Sequence, residues 1–273
     1  MTINCKGNLI DLSTPKIMGI LNVTPDSFYD GGNYEDTSAI MDQVKTIAKQ
    51  GATFIDVGGY SSRPDADDVS VDEELKRVIP IIKLIIKEFP DTLISVDTFR
   101  SQVAEQAIEA GACMVNDISA GHLDEDMLKM VANLKVPYIM MHMRGNPKTM
   151  KSLTNYDDLI KEMLFYFSER IAKARALGIV DLIIDPGFGF AKTLEQNYEL
   201  LNKFELLKTT DLPILAGLSR KSMIYKTLNV SLEDALNGTS VLNTIALQKG
   251  ANILRVHDVK EAMECITLTQ QLQ

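Results

Sequence analysis

The segment GACMVND (residues 111–117) decides the fold. A Gly-Ala pair closes an amphipathic stretch, an apolar run follows at once, and two polar side chains, Asn116 and Asp117, end it. Glycine just past a helix supplies the left-handed backbone that caps it, so Gly111 reads as the link from a helix to the next strand. Residues 113–115 are apolar without alternation, as a parallel strand buried on both faces requires. The same grammar recurs in GATFIDVGG (51–59) and GANILRV (250–256).

Working outward, apolar runs lie at 16–21, 53–57, 93–96, 113–115, 137–141, 182–184, 213–216 and 252–256. The stretches between them are long enough for helices; the longest, 160–176, ends at Gly178. Ser70 with Glu73 reads as a capping box ahead of a helix over 75–89, and Asn155 with Asp158 and Ser231 with Asp234 are looser versions. Eight strand–helix units with no composition shift or linker predict an α/β chain with one closed (β/α)₈ TIM barrel. An open doubly wound sheet is the structural alternative. The expected organisation is a single domain over 1–273, with the barrel at 16–270. Residues 1–14, turning at Lys6-Gly7-Asn8, form a hairpin that caps the barrel bottom.

Composition narrows the function. The 273 residues are 45% hydrophobic and 24% charged, proportions of a packed globule rather than a disordered chain. With 28 basic residues against 37 acidic ones, a net charge of −9 and no basic run, neither nucleic acid nor an anionic membrane is an expected partner. The greasiest stretch, 78–89, is broken by Lys83 and Lys87 and does not read as a membrane span. The N-terminus lacks a secretory signal pattern, so the cytoplasm is the expected location. Cys5, Cys113 and Cys265 lie far apart with no CxxC pair, which suits neither a disulfide scaffold nor a structural zinc site. Cys113 is expected in the core.

In a barrel, chemistry sits where strands end and strand-to-helix loops begin. The runs lead in turn into Asn22, Gly58-Gly59 with Arg63, Asp97, Asn116 with Asp117, His142, Asp185, Ser219-Arg220-Lys221, and Arg255 with His257. Singly, Asp97 can cap a helix, Asp185 can form a turn, Asn116 can satisfy loop backbone and His142 can be a hydrogen-bonded wall residue. Recurrence at one end, strand after strand, is not explained by packing. Arg63, Arg220, Lys221, Arg255 and His257 would form a positive cluster on an acidic chain, pointing to a phosphate or pyrophosphate ligand. Asn22 and nearby Asp26 suit Mg²⁺, which binds through few protein ligands plus phosphates and water. The long polar loops at 22–33 and 58–70 read as lids.

These strand ends spell MGILNVTPDSFYDGG (18–32), VGGYSSRP (57–64), SVDTFRSQVA (95–104) and NDISAG (116–121), then MHMRGNPKTM (141–150), DPGFGFAKT (185–193), GLSRKSM (217–223) and RVHDV (255–259). In this order and spacing the chain resembles dihydropteroate synthase, a pterin-binding TIM-barrel family. The resemblance implies that a dihydropterin carrying a CH₂–pyrophosphate joins para-aminobenzoate, giving dihydropteroate and pyrophosphate on the path to folate. It also implies Mg²⁺, a homodimer and binding of sulfonamide inhibitors.

By the same resemblance, Asp97, Asn116, Met141, Asp185, Phe190, Gly217 and Lys221 contact the pterin. Asn22, Ser61, Arg63, Arg255 and His257 hold the pyrophosphate, Asn22 also serving Mg²⁺. Phe28, Ser62, Arg63, Pro64, Phe190, Ser219 and Lys221 meet the aminobenzoate, and Asp97, Lys221, Arg255 and His257 are the catalytic set. The chemistry fits. A carboxylate at 185 accepts from the ring N–H and exocyclic amine, and Asn116 both donates and accepts. Asp97 stabilises positive charge as the pyrophosphate departs. A dissociative mechanism follows, in which departure precedes capture by the weakly basic amine. The competing readings are a methyltetrahydrofolate-binding methyltransferase barrel, a non-catalytic pterin-binding homologue and a metal-dependent hydrolase. The first has no use for residues 61–64. The second would lose lid or phosphate residues, and the third needs more His ligands than three.

Where many relatives read Gly-Gly-Glu-Ser-Thr-Arg-Pro-Gly, this chain has Tyr60 for Glu, Ser62 for Thr and Asp65 for Gly. Ser62 keeps the hydroxyl and lacks a methyl contact. Ser62→Thr is therefore expected to change the affinities for aminobenzoate and sulfonamide, measured by steady-state kinetics and inhibition. Unchanged values for both compounds would remove that reading of the methyl.

Overall fold

Cys5 faces Asn8 across a two-residue turn in which Lys6 and Gly7 have φ of 54° and 84°. Positive φ at both positions matches the right-handed twist of a hairpin, and the antiparallel pair β1 (Thr2–Cys5) and β2 (Asn8–Asp11) results. The computed structural model describes residues 1–23, 34–61 and 68–272.

The apolar runs form β3 (Lys16–Asn22), β4 (Phe54–Gly58), β5 (Leu93–Asp97), β6 (Met114–Asp117), β7 (Tyr138–Met141), β8 (Leu182–Asp185), β9 (Leu215–Ala216) and β10 (Ile253–Val256). All pair in parallel, in the order β8-β7-β6-β5-β4-β3-β10-β9. A bridge between Ile184 and Ile214, with Ile184 N donating to Pro213 O at 3.0 Å, joins the ends. The sheet is a closed barrel, not an open doubly wound one. β9 is shorter than its apolar run because Pro213 has no N–H to offer the ladder. At the next residue the side chain of Asn252 accepts from Ile214 N at 2.9 Å and donates to Leu12 O at 3.0 Å.

Helices α1 (Tyr34–Lys49), α2 (Val71–Glu88), α3 (Ser101–Ala110), α4 (Met127–Leu134), α5 (Leu159–Ala176) and α6 (Leu194–Asn202) follow β3 to β8 in turn. Two helices, α7 (Ser222–Leu228) and α8 (Leu236–Gln248), follow β9, and α9 (Val259–Gln270) follows β10. Gly111 ends α3 with φ 119°, as its place in the sequence predicts. Ser70 accepts from Glu73 N and starts α2. Two caps differ from expectation. Asp158, not Asn155, caps α5 by accepting from Lys161 N, and Ser231 opens a single 3₁₀ turn (Glu233–Ala235) rather than α8 itself.

Side chains alternate along each strand. Ile17, Ile55, Val57, Ile94, Val115, Ile184 and Leu254 point outward into the layer shared with the helices. Met18, Phe54, Met114, Ile139, Ile183, Leu215 and Ile253 point inward and form one apolar tier with Cys113, closed from below by Ile3, Cys5 and Leu12 of the hairpin segment. The hairpin is the floor of the barrel. Ile3 is 1% exposed within that tier. Ile3→Ala should therefore lower unfolding stability by about 2–4 kcal/mol in a denaturant titration. A loss under about 1 kcal/mol would mean that the floor relaxes to fill the gap.

Candidate active site

Two residues further along five of these strands, the inward positions change character, while β3 and β7 continue with apolar Ile20 and Met141. Phe54 is followed by Asp56, Met114 by Asn116, Ile183 by Asp185, Leu215 by Gly217 and Ile253 by Arg255, with Asp97 the corresponding residue of β5. Strand periodicity alone thus stacks a polar tier on an apolar one. Asp56 belongs to this tier, although it lies inside an apolar run and is not among the polar strand ends picked out in the sequence. The alternation Phe54-Ile55-Asp56-Val57 is the signal that identifies it, once the inward face is known.

Asp56 is 1% exposed. Its Oδ2 accepts from Asn116 Nδ2 at 2.9 Å and from Arg255 Nε at 2.6 Å. Oδ1 has no hydrogen-bond partner among the described residues. Arg255 Nη2 donates to Asp97 Oδ2 at 2.6 Å, so one guanidinium is shared by two carboxylates. Burial pushes Asp97 up to about 7; Arg255 opposes the rise, and Asp56, Glu74 and Asp117 add to it. Burial also disfavours charge on Arg255, but Asp56 and Asp97 outweigh it and hold its pKa above the ordinary value.

The expected positive cluster is therefore corrected in two places. Arg255 is paired inside the barrel. Arg220 is bound to Asp258 through Nε and Nη2 at 2.9 and 2.8 Å, and its Nη1 donates to Glu233 O at 2.9 Å. It fastens the β9 and β10 loops to each other.

Across the mouth, Asp185 Oδ1 accepts from Gly187 N at 2.7 Å. Burial raises the Asp185 pKa, against the pull of that N–H, Lys221 and Arg255. A Cβ at Gly217 would meet nothing nearer than Asp185 Oδ2 at 4.0 Å, so the glycine leaves open space beside the carboxylate. Lys221 donates to Phe188 O, and its Nζ lies 4.5 Å from the centre of the Phe190 ring. Burial lowers its pKa to about 8, with Asp185 and Asp97 resisting. Met141 is buried with Ile118, Met143, Met150 and Ala191, and Phe190 packs against this upper apolar cluster. Ser219 Oγ lies 2.9 Å from His257 Nδ1 and accepts from His257 N at 3.1 Å. His142 lines the wall, with Nδ1 3.1 Å from Lys192 Nζ.

Asn22 is exposed at the rim, beside Gly58, which in turn neighbours Asp97. Among the described residues, no three His, Cys, Asp or Glu side chains are grouped to hold a metal. Asn22 fits only the sparse kind of Mg²⁺ site that a ligand's phosphates complete. Ser61 is half-buried at the end of a described segment. Asp26, Phe28, Ser62, Arg63, Pro64 and Asp65 lie outside the described residues. Tyr60 packs edge-on against Phe99 with ring centres 5.1 Å apart, and Arg100 lies 5.2 Å from each ring. Arg100 also pairs with buried Glu74 at 2.7 Å, so Tyr60 is tied to the loop that follows Asp97.

A family model described as pterin binding enzyme matches residues 18–257. The dihydropteroate synthase of Escherichia coli (strain K12) is 44% identical over 273 residues, covering 99% of this chain and 96% of the relative. A Yersinia pestis dihydropteroate synthase solved with a sulfonamide drug superposes with a TM-score of 0.93 at 40% identity, covering 100% of this chain and 99% of the other. A Xanthomonas albilineans dihydropteroate synthase solved with 4-aminobenzoic acid gives 0.92 at 40% identity, with 100% and 98% covered.

Burial is the main reason the Asp97 pKa is raised, and the Asp56 carboxylate adds to the rise across the arginine they share. Asp56→Asn removes one negative charge and leaves Arg255 to Asp97 alone, so the Asp97 midpoint should fall below 7. Carboxyl ¹³C NMR titration checks this, and a midpoint that rises or holds would contradict the shared-cation geometry.

Proposed function

Because the chain belongs to the pterin-binding enzyme family, with dihydropteroate synthases as full-length relatives, we propose that its barrel mouth seats a dihydropterin pyrophosphate and para-aminobenzoate. The chain is a dihydropteroate synthase-type transferase of folate biosynthesis. The observation that carries the site assignment is the inward polar tier of Asp56, Asn116, Asp185 and Arg255, two residues above the apolar floor on four strands.

A pterin lying across that tier matches its donors and acceptors. Asp185 accepts from the ring N–H and the exocyclic amine. Asn116 spends one amide hydrogen on Asp56 and turns its remaining donor and its carbonyl to the ring edge. Asp56 Oδ1 is buried and has no hydrogen-bond partner among the described residues. Lys221 serves the ring carbonyl, with Met141, Phe190 and Gly217 as the walls. The methylene–oxygen bond breaks, its electron pair leaves with the pyrophosphate, and the Asp97 carboxylate stabilises the resulting cation. The amine nitrogen of aminobenzoate then adds to the methylene and loses one proton.

Arg255, His257, Ser61 and Arg63 hold the leaving group by charge-assisted hydrogen bonds. Asn22 would hold Mg²⁺, which when bound supplies charge neutralisation on the pyrophosphate. Phe28, Ser62, Pro64, Ser219 and the Lys221 stem form the aminobenzoate pocket, which sulfonamides share. A cytoplasmic homodimer with no nucleic-acid partner completes this reading. In line with it, no helix among the described residues is long and apolar enough to cross a membrane.

The test incubates the protein with Mg²⁺, the pterin pyrophosphate and para-aminobenzoate. Pyrophosphate release that depends on the amine is expected, whereas folded protein without product points to the non-catalytic homologue. Asp185→Ala should abolish pterin binding in calorimetry and Lys221→Ala should cut turnover severely. Near-normal rates in both variants remove the site assignment.

A further inference from the structure

Behind the proposed pterin contacts lies a cation that the reaction itself does not use. Lys192, in the loop between β8 and α6, is 8% exposed. Its Nζ donates to Gly187 O at 2.9 Å and Phe190 O at 3.0 Å, and lies 3.1 Å from His142 Nδ1. An ammonium has three N–H groups, so all three are committed. Burial and the nearby charges of Lys192 and Arg144 keep the His142 pKa well below 6.5, which leaves its ring neutral and able to accept. Burying a lysine is costly, and burial brings the Lys192 pKa down to about 7. An apolar side chain would avoid that cost, so the cation calls for a reason.

The turn it holds supplies one. Phe190 N bonds back to Gly187 O at 3.1 Å, and Gly187, Gly189 and Ala191 have φ of 68°, 80° and 47°. Left-handed backbone at a non-glycine such as Ala191 is disfavoured and has to be imposed by neighbours. Asn197 Oδ1 accepts from Gly189 N at 2.6 Å, and Lys192 takes the two end carbonyls. A Cβ at Gly187 would lie 2.2 Å from His142 O, so the turn is pressed against β7's end. The remaining groups of the turn face the site: Phe188 O accepts from Lys221, the Phe190 ring lies beneath that ammonium, and Gly187 N binds Asp185. The carbonyls of one short turn are thus divided between two lysines, 187 and 190 to Lys192 and 188 to Lys221.

We propose that Lys192 is a positioning residue: by holding the Gly187 and Phe190 carbonyls it sets the seat of Lys221 and hence where that ammonium meets the pterin. This rests on the pterin reading of the site above.

A double-mutant cycle tests it. Lys192→Met should lower kcat/KM for the pterin pyrophosphate roughly 10- to 100-fold, the scale on which small misplacements of a contact are felt. In a Lys221→Met background the same change should cost less than about two-fold, because the group it positions is gone. Calorimetric affinity for the pterin pyrophosphate is read in the same cycle. The parent enzyme's amine-dependent turnover tests the reaction, and only the cycle tests Lys192. Lys192→Arg keeps the charge with a larger planar head that cannot serve the same three acceptors; it carries the cycle if the Met variant does not fold. Parent-like kinetics in folded Lys192→Met overturn the proposal. So does an equal loss in both backgrounds, or failure of both variants to fold, since each marks a purely structural role.

Discussion

The guanidinium of Arg255, held between Asp56 and Asp97 inside the barrel, governs the mouth of this molecule. Three charges in a desolvated space leave one negative charge in excess. Taking the guanidinium away would strand two buried carboxylates without compensation, which is far more damaging than the pairing is stabilising, whereas removing one carboxylate leaves a neutral pair. Burial, with that excess added to it, explains why Asp97 sits near 7, while the two carboxylates keep the arginine protonated. The shared pairing also sets terms for an anionic ligand, because a pyrophosphate placed at Arg255, as proposed, would compete with the two carboxylates already bound there.

That arrangement depends on the layers beneath it. The hairpin closes the lower mouth with Ile3, Cys5 and Leu12, and the inward strand residues above them form a dry tier. The polar side chains are therefore shielded from water entering below, and their interactions act in a low-dielectric surrounding. Asn252 couples floor and barrel by bonding both Ile214 and Leu12, at the point where Pro213 interrupts the ladder.

The upper loops are held by side chains rather than by regular structure. Lys192 and Asn197 fix the turn after β8, and Arg220 links the β9 and β10 loops through Asp258. Arg100 and Glu74 join the start of α2 to the loop after Asp97, with Tyr60 packed on Phe99. Tyr60 is thus accommodated by aromatic and cation–π contact.

How much of this was legible depended on whether the signal was local. Continuous apolar runs, the Gly111 cap and the Ser70 cap are local, because burial on two faces and helix ending are properties of a few adjacent residues; they determined the barrel. Asn116, Asp185 and Arg255 were legible because they stand at or near the ends of such runs. Asp56 was not, being enclosed by apolar neighbours until the inward face of β4 was known. Asp158 displaced Asn155 as a cap because the chain enters α5 three residues later. Arg220 looked like Lys221 in the sequence, and only the distant Asp258 decided that Arg220 binds the loops while Lys221 lies against Phe188 and Phe190. The sequence by itself thus determined the strands, the caps and which residue types gather at one mouth. Which charges neutralise each other there was decided by tertiary structure, since partners 199 residues apart, such as Asp56 and Arg255, meet only when the barrel closes.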